Sequence, residues 1–193
     1  MAERDIDAAE LAREIARRTV FSTGGGGPNQ ETILAAEMIG HASALCRQER
    51  CREAAALFEF AARRRPGDAE ARNNLGFCLI PENPAAALAH LEAAEQMGYC
   101  HGVVNAYNRV CCQLGLKRPR AALAAADAYW KTRDDRPGRA LLWAWDGDRS
   151  WHITDVADPY LALAKLAAEI ASTEGWLEAE QRWVSRSETD NHP

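Results

Sequence analysis

Six cysteines and five histidines carry the side chains best suited to catalysis or metal binding. Cys100-His101 and Cys111-Cys112 place thiols and an imidazole in one short stretch, a set that suits zinc. Structural zinc sites draw on two Cys-x(2–4)-Cys knuckles in loops. Cys46-x(4)-Cys51 straddles a predicted helix end and lacks a second pair. A cysteine nucleophile would need a base such as His41, His90 or His101 and a third group to orient it. Spacing supplies neither, and His41 and His90 fall at helix positions. Asp146-x-Asp148-x-Ser150 opens like a calcium loop but lacks the glycine at the sixth place and the glutamate at the twelfth. Gly24 to Gly27 has no following Lys-Ser/Thr, so it is no phosphate loop. Small buried cysteines, free in a reducing cytosol, fit the spacing best. The expectation is a chain without catalytic residues, metal or cofactor.

Helices must position whatever else the chain does. Asp5 to Arg18 has Ala8, Leu11 and Ile15 on one face. The run Gly24-Gly25-Gly26-Gly27-Pro28 reads as a linker, since four glycines cannot hold a helix. Gln30 to Arg65 shows helical periodicity with a break near Arg47 to Arg52. Pro66-Gly67-Asp68 then stops one helix and caps the next. Further helices are predicted over Ala69–Leu79, Ala85–Met97, His101–Leu114 and Arg120–Lys131.

These helices repeat. Ala54, Phe58 and Ala61 recur as Ala87, Leu91 and Ala94, and again as Ala121, Ala125 and Ala128, at offsets of 33 and then 34 residues. Upstream of each triplet stand Ala42 and Leu45, Gly76 and Leu79, Asn108 and Cys111. Small residues at fixed places let helix backbones approach closely. A hairpin of this kind cannot bury its apolar face alone, whereas stacked neighbours can. A helical bundle with periodic alanines is the plainer alternative.

The segment Ala69-Glu70-Ala71-Arg72-Asn73-Asn74-Leu75-Gly76, and Ala54, Phe58, Ala61 with the closing Pro66, resemble the tetratricopeptide repeat family. About three degenerate repeats cover residues 35–130. Met38, Arg72 and Val104 stand at the usual tryptophan position, Asn108 replaces a small residue, and Pro84 crowds a loop. The resemblance implies an all-α fold, a right-handed α-solenoid whose concave groove binds a protein segment. The family's carboxylate clamp carries over at Asn74 alone; Ile39, Ser43, Gly102 and Ala106 depart from it, and Arg109 lies one turn from the expected arginine.

On this register the inner face offers Asn73, Asn74, Phe77, Asn105 and Arg109, with Gln113 at its margin. Asparagine both donates and accepts, which suits an extended peptide. Arg109 could take a carboxylate bidentately, and Phe77 could pack an apolar side chain. Alternatively, the asparagines hydrogen-bond between neighbouring helices.

The last third differs. All six tryptophans lie at or after Trp130. Leu141, Trp143 and Trp145 alternate before Asp146-Gly147, and Trp151 and Ile153 alternate after it, which predicts a small β-hairpin near 141–154. A short helix over Arg139–Trp145 competes. Asp158-Pro159 starts a helix to about Ala171, and Leu177 to Ser185 follows it as a capping helix. The domain expectation is an N-terminal helix and linker over 1–28, a repeat array over 29–136, and a Trp-rich capping region with an acidic tail over 137–193.

From Arg109 to Arg139 eight basic residues oppose three acids, and from Asp146 to Asp190 ten acids oppose four bases. This is either a basic patch for an acidic partner or a repeat edge paired with the chain's own acidic tail. The overall charge of −5 argues against a nucleic-acid coat. No apolar run reaches the roughly 18–20 residues of a membrane span. The acids of Met1-Ala2-Glu3-Arg4-Asp5 do not suit a signal peptide, so the expected place is the cytoplasm. The expected function is a non-catalytic adaptor with a protein or peptide partner. A regulatory subunit docking an enzyme or effector through the Trp-rich region is the alternative, and a cysteine- or metal-dependent enzyme a distant one.

Overall fold

The computed structural model describes Glu14 and residues 28–132, 138–145 and 151–189. The glycine linker and the Asp146-Gly147 turn lie outside the described residues, and of the Asp5–Arg18 helix only Glu14 is described, as helical. The described chain is mostly helical with one small antiparallel sheet. Six helices come first: α1 (Pro28–Arg47), α2 (Cys51–Arg64), α3 (Ala69–Leu79), α4 (Pro84–Gln96), α5 (Gly102–Gly115) and α6 (Pro119–Thr132). Strands β1 (Ala140–Trp145) and β2 (Trp151–Val156) follow, then α7 (Pro159–Thr173) and α8 (Leu177–Thr189). No described helix is long and apolar enough to cross a membrane.

Local chemistry explains the boundaries. The side chains of Asp68, Asn83 and Asp158 accept hydrogen bonds from the backbone N–H groups of Ala71, Ala86 and Leu161, capping α3, α4 and α7. Pro84 and Pro159 stand in the first turns of α4 and α7, where a missing N–H costs nothing. Pro84 therefore opens a helix instead of crowding a loop. Gly98, at φ 81°, closes α4 in the left-handed region where a side chain would strain.

Each of the six first helices packs on the next, and α7 packs on α5 and α6. The small-residue columns explain the closeness. Ala54, Ala61, Ala87 and Ala94 are wholly buried, as are Leu91 and nearly so Phe58. A Cβ added at Gly76 would stand 2.7 Å from Leu91 Cγ and 3.1 Å from the Ala87 carbonyl. The third triplet, Ala121, Ala125 and Ala128, needs correction. Ala122, Leu123 and Ala126 are the buried residues of α6, while Ala121 and Ala125 are half-buried and Ala128 is exposed. In Ala121-Ala122-Leu123-Ala124-Ala125-Ala126 several registers set small residues at helical spacing, so periodicity could not choose among them. A one-residue slip turns a helix face by about 100°.

The alternating tryptophan run forms the hairpin and not a helix. Its register pairs Ala140 with Val156, Trp143 with Ile153 and Trp145 with Trp151. Leu142 and Trp143 are adjacent and both buried, so β1 is covered on both faces. One core runs from Met38 of α1 to Trp183 of α8. At its far end Trp183 meets Trp130 edge-on at 5.3 Å, and the Arg186 guanidinium lies 4.2 Å from the Trp183 ring centre. Arg182 and Arg186 pair with Asp127 of α6 at 3.1 and 2.9 Å. These ion pairs run opposite in sign to a basic repeat edge meeting an acidic tail: α8 supplies the arginines.

Candidate functional site

Asn73 of α3 and Asn105 of α5 face each other and are almost wholly buried. The Asn105 amide donates to Asn73 Oδ1 at 3.1 Å and to the Leu91 carbonyl at 2.8 Å. Asn73 in turn donates to Asn74 Oδ1 at 3.4 Å. The two asparagines thus hydrogen-bond between neighbouring helices, the alternative to facing a partner's peptide, and the Asn105 bonds span three elements. They tie α3, α4 and α5 together through amides that the packed interior would otherwise leave unpaired.

Phe77 is also buried, and its neighbour is the chain's own hairpin. Trp143 stacks on it at 5.3 Å with 28° between the rings. Trp143 Nε1 donates to the Phe77 carbonyl at 2.7 Å, and the Tyr107 hydroxyl donates to the Trp143 carbonyl at 2.9 Å. Burial pushes the Tyr107 phenol well above its ordinary range, which keeps it a donor. Strand β1 therefore lies against Phe77 of α3 and Tyr107 of α5, covering a residue that the sequence reading offers to a partner.

Arg109 lies on the α4 side. Its guanidinium meets Glu95 at 2.7 Å, while its buried Nε, like Gln113 Oε1 one turn on, has no hydrogen-bond partner among the described residues. Of the six residues expected at the groove, Asn73, Asn74 and Phe77 line one cleft, whereas Asn105, Arg109 and Gln113 are not among its lining.

That cleft, of about 300 Å³, opens between α1, α3, α5 and the start of β1. Ser43 and Arg47 come from α1, Glu70 from α3, His101 precedes α5, and Arg139 precedes β1. Arg139 is paired across the hairpin with Asp155 at 3.1 Å. Asn108 lines the cleft too. It is 0% exposed, and neither its amide oxygen nor its nitrogen has a partner among the described residues. The sequence reading passed over it as a departure from a small-residue column. The signal was there: a polar amide at the place of Ala42 and Gly76 has to find partners.

A second cluster lies beside this one. The sulfurs of Cys46, Cys51 and Cys78 all fall within 4.8 Å of one another, with Cys46 and Cys78 3.5 Å apart. All three are free and buried. They share protons unequally. Hydrogen bonds from Cys46 and then Cys78 pull the Cys51 thiol down to about 4. The same bond to Cys51 pushes Cys46 up to about 12, and hydrogen bonding to Cys46 and Cys51 pushes Cys78 upward as well. Among the described residues these three are the group able to share one ion, and the Cys100, His101, Cys111, Cys112 set does not assemble. Burial instead raises Cys111 and takes Cys112 up to about 12, while Cys100 is exposed. The partner that Cys46-x(4)-Cys51 lacks in the sequence is a single residue, Cys78 of α3, which knuckle spacing cannot reveal.

The chain matches no protein-family model and no curated protein sequence.

Proposed function

We propose that the helix pairs form a right-handed tetratricopeptide-like array and that the chain is a non-catalytic adaptor. Its partner is a short peptide segment seated in the cleft between α1, α3, α5 and the start of β1. The buried Asn108 amide, without a hydrogen-bond partner among the described residues, carries this reading. A buried amide left without partners costs about 1–3 kcal/mol, and a peptide group that displaces the side chains covering Asn108 supplies the acceptor and donor it lacks. Asp155 holds Arg139, so Arg47 is the cleft arginine that an acidic residue of the segment would meet. Stacking of consecutive helices and the strand already laid on the inner face support the array and its use for extended chain. The Asn73–Asn105 pair frames this cleft and Asn108 forms its polar floor.

Selection of phage-displayed random peptides on the full chain tests it. Selected peptides should carry an acidic residue. Asn108→Leu should weaken them tenfold or more, about 1.4 kcal/mol, without loss of thermal stability. Arg47→Glu should weaken them further at low salt than at high salt. Arg63→Glu, exposed on α2 and paired with Glu59, is the control. Equal binding to Asn108→Leu and wild type would remove the cleft as the site.

A further inference from the structure

We propose that Cys46, Cys51 and Cys78 form a three-thiolate binding site for a zinc ion, reached from the cleft beneath the hairpin. This goes beyond the peptide-binding reading and does not depend on it. Three observations carry it. The sulfurs lie within 4.8 Å of one another. Zinc–sulfur bonds of about 2.3 Å in a tetrahedral site set the sulfurs about 3.8 Å apart, so small side-chain movements place all three around one ion. The three residues also sit on rigid positions: the last turn of α1, the first residue of α2 and the last turn of α3. Cys51 thus lies where the α2 backbone N–H groups and dipole favour a thiolate.

The third observation is access. A cleft of about 400 Å³ is walled by Cys51 and Cys78 together with Trp143, Trp151 and His152. Three protein sulfurs leave a fourth tetrahedral position, and the cleft gives it room for water or an imidazole. Nitrogen or oxygen in that position distinguishes zinc from copper(I), which favours sulfur throughout. Binding releases the protons of the three thiols to solvent, so the site is expected to fill more tightly as pH rises.

The test uses the full chain, reduced and stripped of metal. Cobalt(II) alone should saturate at one ion per chain. It should give a thiolate charge-transfer band and the intense visible bands of tetrahedral coordination, and zinc should displace it. Cys78→Ser should weaken cobalt binding at least tenfold, whereas Cys100→Ser, at an exposed thiol, should not change it. Should Cys78→Ser lower the helical circular dichroism, the wild-type chain still decides. One equivalent of zinc should slow alkylation of Cys46, Cys51 and Cys78 at least tenfold, mapped by mass spectrometry, with Cys100 unaffected. Absence of the charge-transfer band and of protection in reduced wild type would overturn the site. So would undiminished cobalt binding by folded Cys78→Ser.

Discussion

The six-helix region and the C-terminal third achieve burial by different means. From α1 to α6 the close approach of helices rests on small residues, with Ala54, Ala61, Ala87 and Ala94 at no exposure and Gly76 against Leu91, while Met38, Leu57 and Phe58 fill the space beside them. From β1 onward α7 still buries Ala164, Ala167 and Ala171, but large aromatics with directional partners are added: Trp143 on Phe77, Trp183 against both Trp130 and Arg186, and Trp176 beneath Arg120 at 5.7 Å. Smallness serves elements that repeat, since every pair must fit the next in the same way. Bulk and hydrogen bonds serve a single joint, where one fit is enough and must be specific. Trp143 is that joint, because its ring, its indole N–H and its carbonyl each meet a different helical partner or group.

Breaking the joint should have the largest effect. Trp143→Ala removes a buried ring and leaves a cavity against Phe77, at about 3–5 kcal/mol of unfolding free energy. Urea denaturation measures it, and a loss under about 1 kcal/mol would mean that the two regions are only loosely joined. Next comes the small-residue rule. Gly76→Ala gains about 1 kcal/mol of helix propensity but forces a methyl against Leu91 and the Ala87 carbonyl. The overpacking, about 1–3 kcal/mol, outweighs it. Gly40→Ala, with open space around it, should stabilise α1 by about 0.5–1 kcal/mol. Opposite signs for the two glycines in thermal denaturation would sharpen the contrast, and equal signs would erase it. The smallest effect is expected at the rim of the C-terminal third. Arg182→Ala removes a half-exposed pair to Asp127 that Arg186 duplicates, so it should cost about 0.5 kcal/mol or less and vanish at high salt. A larger loss would make charge, and not the tryptophans, the fastener of α8.

Much of this was legible beforehand. Ala69–Leu79 is helical as its Asp68 cap and leucine spacing dictate, and the alternating tryptophans pair as a hairpin. The first two small-residue columns are core. The slip at Ala121 shows where legibility ended: an alanine-rich helix looks alike in several rotations. The candidate site was legible in part. Asn73, Asn74 and Phe77 do line a cleft, but the partner of Phe77 was the chain's own Trp143, and Asn108 had been counted as an irregularity.

The sequence by itself determined where helices start and stop, that small residues recur at about one repeat length, and that the tryptophans close the fold. Those are local matters, set by capping, propensity and period along a single segment. Tertiary structure alone decided that Cys78 joins Cys46 and Cys51, that Asn105 is hydrogen-bonded while Asn108 has no partner among the described residues, and that β1 lies across Phe77. Side chains on separate helices meet according to the rotation and rise of each helix. One loop residue more or less turns a face by about 100° and moves it about 1.5 Å, far more than a hydrogen bond or a metal–sulfur bond tolerates.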